Sequence, residues 1–306
     1  MSFLVELPAD QYDRDAFANF TSTSAGFDLG VARAMMWMSQ LAYETHVPET
    51  ISAITDLWHL SGVTVLSKPL KSTLPLTDTR GIVARKLGAT IVAFAGTDPL
   101  HLLNWVSDFS LGRPKEAVHE GFRDAAAAVW DQVREVLRDA ATLGSPIFIT
   151  GHSLGAAIAV VTADFARREL DLSAAQVYLY GCPRVGRDDF TTPYDLAFAT
   201  KTYRLVHGAD IVPTVPPALL GFHHVGGYLH CASSARFSLD PTPLAVGSDE
   251  PMADAGLGAQ LGNLFVGISE NTRSDAVGNL SVLLPPGIGD HLPDRYCAAL
   301  TPEAQP

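Results

Sequence analysis

One stretch constrains the fold more than any other. The apolar run Ile147, Phe148 and Ile149 ends in Gly151-His152-Ser153-Leu154-Gly155, and an Ala-rich amphipathic segment, 154–168, follows at once. A strand that turns this sharply into a helix forces Ser153 into a strained backbone conformation. Side chains two residues to either side would collide, so both flanks must be glycine. The turn raises the Ser153 hydroxyl above the C-terminal edge of a sheet, where the next backbone N–H, from Leu154, and the helix N-terminus favour developing negative charge.

The rest of the chain supplies that sheet. Val31, Met35, Met38 and Ala42 recur at helical spacing within 29–43, and 82–95 reads as two β runs broken near Gly88. Phe122, Ala126, Val129, Val133, Leu137 and Ala140 form one apolar face of a long helix. Strand 147–150, helix 154–168, strand 177–180 and strand 203–206 follow, and a further strand is expected in "FHHVGGYLH" at 222–230. Such alternation predicts an α/β fold with a mostly parallel central sheet and helices on both faces. The expected organisation is a single domain over 1–306, with a Gly/Pro/Leu-rich insertion at about 240–289. Within it, Leu257, Leu261, Leu264, Phe265 and Ile268 predict an amphipathic helix.

A serine hydroxyl is a weak nucleophile and needs a histidine base oriented by a carboxylate. In a sheet of this type the chain order is serine, acid, histidine. "YRLVHGADIVPTVPP" ends a strand and delivers Asp210 into a Pro-rich loop, which is the position of the orienting acid. His223, His224, His230 and His291 follow it. The polar loop before a short apolar segment favours His291, and the strand-like setting of His223 and His224 leaves them as alternatives. His223, His224, His230 and Cys231 are also dense enough to weigh as a metal site. His152 reads as a hydrogen-bonding neighbour of the serine.

Composition excludes other classes. With 21 Lys and Arg against 33 Asp and Glu, the net charge of −12 argues against nucleic acid and against adsorption to anionic lipid. Cys182, Cys231 and Cys297 are odd in number and far apart, so no disulfide framework is written. The sequence has no basic, apolar leader and no apolar run long enough to span a bilayer. As given it reads as cytoplasmic, with secretion open if the numbering starts at a processed form. No motif sets an oligomeric state.

Taken together, "VAFAGT", "NWVSDF", "VHEGF", "GHSLGAA", "YGCPRVGRDDF", "VHGADIVPTVPP" and "DHLPDRY" resemble, in this order, the class 3 lipases, the fungal-type triacylglycerol lipases of the α/β-hydrolase fold. The resemblance spans roughly residues 80 to 300. It implies Ser153 as nucleophile, Asp210 as triad acid and His291 as base, with the N–H groups of Thr97 and Leu154 as the oxyanion hole and Asp108 supporting Thr97. It also implies a lid after Thr97, in "DPLHLLNWV", with Pro99, Leu100, Leu102, Leu103 and Trp105 as its apolar residues. Ala95 departs from the family, where arginine is usual. The implied activity is hydrolysis of acylglycerols at a lipid–water interface through an acyl-enzyme, with neither cofactor nor metal. A short-chain or aromatic esterase, a phospholipase and an inactive lipid- or partner-binding module are the alternatives.

Overall fold

The computed structural model describes residues 5–70, 77–97, 101–102, 118–238 and 286–302. Among these residues seven strands form one sheet in chain order: β1 (Ser61–Pro69), β2 (Asp78–Lys86), β3 (Ala89–Phe94), β4 (Ile147–His152), β5 (Gln176–Tyr180), β6 (Thr202–His207) and β7 (Gly227–Cys231). β1, β2 and β3 are an antiparallel meander, and β3 to β7 run parallel. The expected break near Gly88 is the hairpin turn between β2 and β3. Leu87 and Gly88 both sit at positive φ there (48° and 76°), which matches the twist of the flanking strands.

The helices described are α1 (Leu29–Leu41), α2 (Pro48–Leu57), α3 (Val118–Thr142), α4 (Leu154–Leu170), α5 (Asp188–Phe198) and α6 (Pro293–Leu300). Parallel neighbours joined in sequence by right-handed crossovers put their helices on one face. Accordingly Phe122, Val129, Val133 and Leu137 of α3, the buried side of α4, and Phe190, Tyr194 and Phe198 of α5 share one core with Val92, Phe94, Ile149, Val177 and Leu179 of the strands. The alternate strand residues Ile91, Ala93, Phe148, Tyr178 and Tyr180 point the other way. There α1 and α6 cover the sheet.

Every residue of α1 from Val31 to Leu41 is buried, so its polar members must bond inward. Ser39 Oγ lies 3.1 Å from Thr150 Oγ1 of β4, and Arg33 pairs with Asp13. Asp28 starts the helix by accepting from the Val31 N–H at 2.8 Å.

One expectation changes. The strand expected from Phe222 begins only at Gly227, because Gly226 adopts φ 69° and breaks the extended run. His223 instead makes an isolated bridge with Gly186, and its N–H donates to the Gly186 carbonyl at 2.8 Å. The first 80 residues, which carry little sequence signature, contribute α1, α2, β1 and the start of β2. Most of the insertion, including its expected helix at 252–268, lies outside the described residues. Pro286–Gly289 form a short helical turn at its end, with Ile288 in the core.

Candidate active site

β4 passes into α4 without a loop. Ser153 stands between them at φ 60° and ψ −132°, a conformation that costs an ordinary residue on the order of 1–3 kcal/mol. Hydrogen bonds hold it there: the Ser153 N–H donates to the Tyr180 carbonyl at 2.9 Å, and the Ala156 N–H donates to the Ser153 carbonyl at 3.0 Å. The flanking glycines are steric requirements. A Cβ on Gly151 would lie 2.2 Å from the Gly155 oxygen, and one on Gly155 would lie 2.5 Å from the Phe94 oxygen. Leu154 opens α4, so its N–H is among those that the helix itself does not use. Thr97, three residues past β3, is buried.

His291 and Asp210, 81 residues apart in the chain, meet in a buried pair. Nδ1 of His291 lies 2.9 and 2.8 Å from the two carboxylate oxygens of Asp210. An ionised carboxylate only accepts, so the Nδ1 carries a proton and donates, which leaves the lone pair on Nε2. Asp210 also accepts from the Tyr296 hydroxyl at 2.6 Å and from the Val212 N–H at 2.9 Å. Burial first, then the Asp210 charge, pushes the Tyr296 phenol well above its ordinary range, so it remains a donor. Gly181 gives this pair its space. It adopts φ 56°, and a Cβ there would lie 2.6 Å from Asp210 Oδ2 and 2.8 Å from His291 Nδ1.

Asp290 fastens the loop that carries His291 to the loop that carries Asp210. Its carboxylate accepts from the Ala209 N–H and the Ser233 hydroxyl, each at 2.8 Å. The elbow touches the same histidine: the His152 ring lies 4.7 Å from the His291 ring, centroid to centroid. Ser153 Oγ and His291 Nε2 are both buried without a partner among the described residues. A buried polar atom left this way is costly. A hydroxyl proton and an imidazole lone pair, both uncommitted, are also what proton transfer between them requires.

The other histidines are engaged elsewhere. His224 donates from Nε2 to the Pro213 carbonyl at 3.0 Å, His230 Nε2 lies 2.8 Å from the Gly208 carbonyl, and His223 faces Asp188. Among the described residues no three His, Cys, Asp or Glu side chains gather as metal ligands. Leu102, expected in the lid, is buried in the same core as Phe94, Phe122 and Leu154. Asp108 and the remaining lid residues, Pro99, Leu100, Leu103 and Trp105, lie outside the described residues. Tyr296, Asp290 and Gly181 were not singled out from the sequence. Tyr296 closes the stretch "DHLPDRY" five residues after His291, but nothing in the spacing links it to Asp210.

A parallel sheet whose central strand turns through a glycine-flanked serine into a helix, with a histidine–carboxylate pair on later loops, is the α/β-hydrolase fold. Residues 91–220 match the family described as lipase (class 3). Over 161 residues it is 34% identical to a secreted mono- and diacylglycerol lipase of Fusarium solani, covering 47% of this chain and 43% of the relative. Over 162 residues it is 36% identical to a lipase of Rhizomucor miehei, covering 49% of this chain and 44% of the relative. The chain thus spans less than half the length of these relatives. Among solved structures it resembles a triacylglycerol lipase described as having a serine protease triad at its catalytic centre, with a TM-score of 0.53, 26% identity and coverage of 74% of this chain and 89% of that one. Lipase II of Rhizopus niveus shares the fold, with a TM-score of 0.55 at 19% identity over 76% of this chain and 91% of that one.

Proposed function

We propose that this protein is a serine carboxylic-ester hydrolase acting on acylglycerols, with Ser153, His291 and Asp210 as its triad. The observation that carries the reading is the buried His291–Asp210 pair packed through the His291 ring against His152, the residue before a serine at positive φ, with Ser153 Oγ and His291 Nε2 both left unpartnered among the described residues. Ser153 Oγ attacks the ester carbonyl while His291 Nε2 takes its proton, and the tetrahedral oxyanion is held by the Leu154 and Thr97 N–H groups. His291 then protonates the leaving alcohol, and water releases the acid from the acyl-enzyme by the reverse transfers. Asp210, fixed by Tyr296 and Val212, holds the imidazole tautomer.

Acylglycerols are favoured over other esters because the family is that of lipases and relatives are named for mono- and diacylglycerols. Their names also describe them as secreted, which favours action outside the cytoplasm at a lipid–water interface. No helix among the described residues is long and apolar enough to cross a membrane. The segment 98–106 remains our proposed lid, and Asp108 the brace of Thr97. The test is hydrolysis of p-nitrophenyl esters from acetate to palmitate beside an emulsified acylglycerol. Acylglycerol lipase action predicts turnover of the emulsion with a jump in rate as substrate passes from monomers to droplets. Turnover confined to soluble short esters would make the protein an esterase.

A further inference from the structure

His152 is buried in contact with three parts of the site at once. Its Nε2 lies 2.8 Å from the backbone oxygen of His291, its Nδ1 lies 2.8 Å from the Tyr43 hydroxyl, and its ring lies tilted by 32° beside the His291 ring. The partners fix the tautomer. A carbonyl oxygen only accepts, so Nε2 carries the proton and donates; Nδ1 therefore holds the lone pair and the Tyr43 hydroxyl donates to it. Tyr43 comes from the turn after α1 and reaches the strand end that precedes Thr97. A Cβ built on Gly96 would lie 2.6 Å from the Tyr43 oxygen and 2.7 Å from Ser153 Cβ.

Resting on the hydrolase reading above, we propose that His152 and Tyr43 are positioning residues for the base. They tie the backbone and ring of His291 to the elbow and to the strand end before the oxyanion residue Thr97. Asp210 fixes only one edge of the imidazole, through Nδ1. The Tyr43–His152–His291 chain fixes the backbone that carries it and packs beside the ring. Without this second restraint the lone pair on Nε2 is free to move relative to Ser153 Oγ, and displacements on the scale of 1 Å cost about 100-fold in rate.

His152 serves this role without competing for the proton. Burial first, and the adjacent His291 second, hold its basicity well below the usual histidine range. Both of its nitrogens are engaged, so it is not a second base. A neutral ring beside His291 also adds no repulsion when the imidazolium forms during acylation.

Three variants test the proposal. His152→Phe keeps a ring and loses both hydrogen bonds, His152→Gln keeps a donor for the His291 carbonyl, and Tyr43→Phe removes only the hydroxyl. Thermal midpoints identify any variant that fails to fold. With p-nitrophenyl butyrate, His152→Phe should lose about 10- to 100-fold in kcat with KM changed less than about 2-fold. His152→Gln should recover most of that loss, and Tyr43→Phe should fall between wild type and His152→Phe. The proton on His291 Nδ1, followed by NMR in a Ser153→Ala background, should shift or broaden with His152→Phe and be retained with His152→Gln. A folded His152→Phe or Tyr43→Phe with wild-type kcat and an unchanged His291 resonance overturns the proposal, as does an equal loss in the Phe and Gln variants. Absence of ester hydrolysis in the wild type would count against the hydrolase reading itself, and the His291 resonance would then decide the positioning role alone.

Discussion

Gly181 shows how little room a single residue leaves at the site. Its φ of 56° disfavours any side chain, and a Cβ would fall within 2.6 Å of Asp210 Oδ2 and 2.8 Å of His291 Nδ1. Gly181→Ala is therefore predicted to push the imidazole–carboxylate pair aside and to lower kcat by about 100-fold or more in a protein that still folds. An unchanged kcat would mean that this pair does not act in the reaction. Local context in the sequence marks Ser153 and Asp210, as a glycine-flanked turn and a strand end, whereas the polar loop of His291 leaves His223 and His224 open and only the resemblance to the class 3 lipases selects it. Tyr296 and Gly181 carry no such mark. Their contacts with Asp210 join segments 86 and 29 positions away, and local periodicity says nothing about such pairs. The same holds for His152, whose neighbour His291 is 139 positions distant.

At the scale of elements, the elbow depends on how closely α4 approaches β3. A Cβ on Gly155 would lie 2.5 Å from the Phe94 oxygen and 2.6 Å from Ala95 backbone atoms, and backbone cannot yield as a side-chain tip can. Gly155→Ala should cost about 2–3 kcal/mol in urea unfolding. Gly26→Ala, where nothing lies within 4 Å, should stay within about 0.5 kcal/mol of wild type. Equal stability of the two variants would refute the close-approach argument. Elements with a strong pattern were readable: α3 buries the residues that its periodicity picks out. β1 was not, because it is an edge strand with only Leu66 buried, so no clean alternation marks it. The start of β7 was misplaced because a positive φ at Gly226 interrupts a sequence that otherwise continues as a strand.

Across the whole molecule, buried histidines couple stability to pH. His224 is held well below its ordinary range by burial, with Arg204 and Arg184 adding to the effect, and His152 is displaced in the same direction. An unfolded histidine takes up a proton below pH ~6.5 while the folded one does not. Stability from His224 is thus fully present above that pH and is lost as pH falls below it, by about 1.4 kcal/mol per pH unit. Buried Glu44 and half-buried Asp195 are raised, desolvation being the first cause of each, which opposes the trend, so the comparison must isolate the histidine. His224→Gln should be destabilising at pH 7.5, and the penalty should shrink by about 1 kcal/mol by pH 5.5. A penalty independent of pH would contradict a neutral His224.

On the proposed hydrolase reading, all these restraints serve one oxygen atom, Ser153 Oγ. The most direct measurement is the intact mass of the protein after treatment with a fluorophosphonate, with the modified peptide mapped and ester hydrolysis followed in parallel. A single adduct on Ser153, formed as hydrolysis is lost, is expected, with neither adduct nor hydrolysis in a folded Ser153→Ala variant. An adduct on another residue that accompanies inactivation, or undiminished hydrolysis by Ser153→Ala, would contradict that reading.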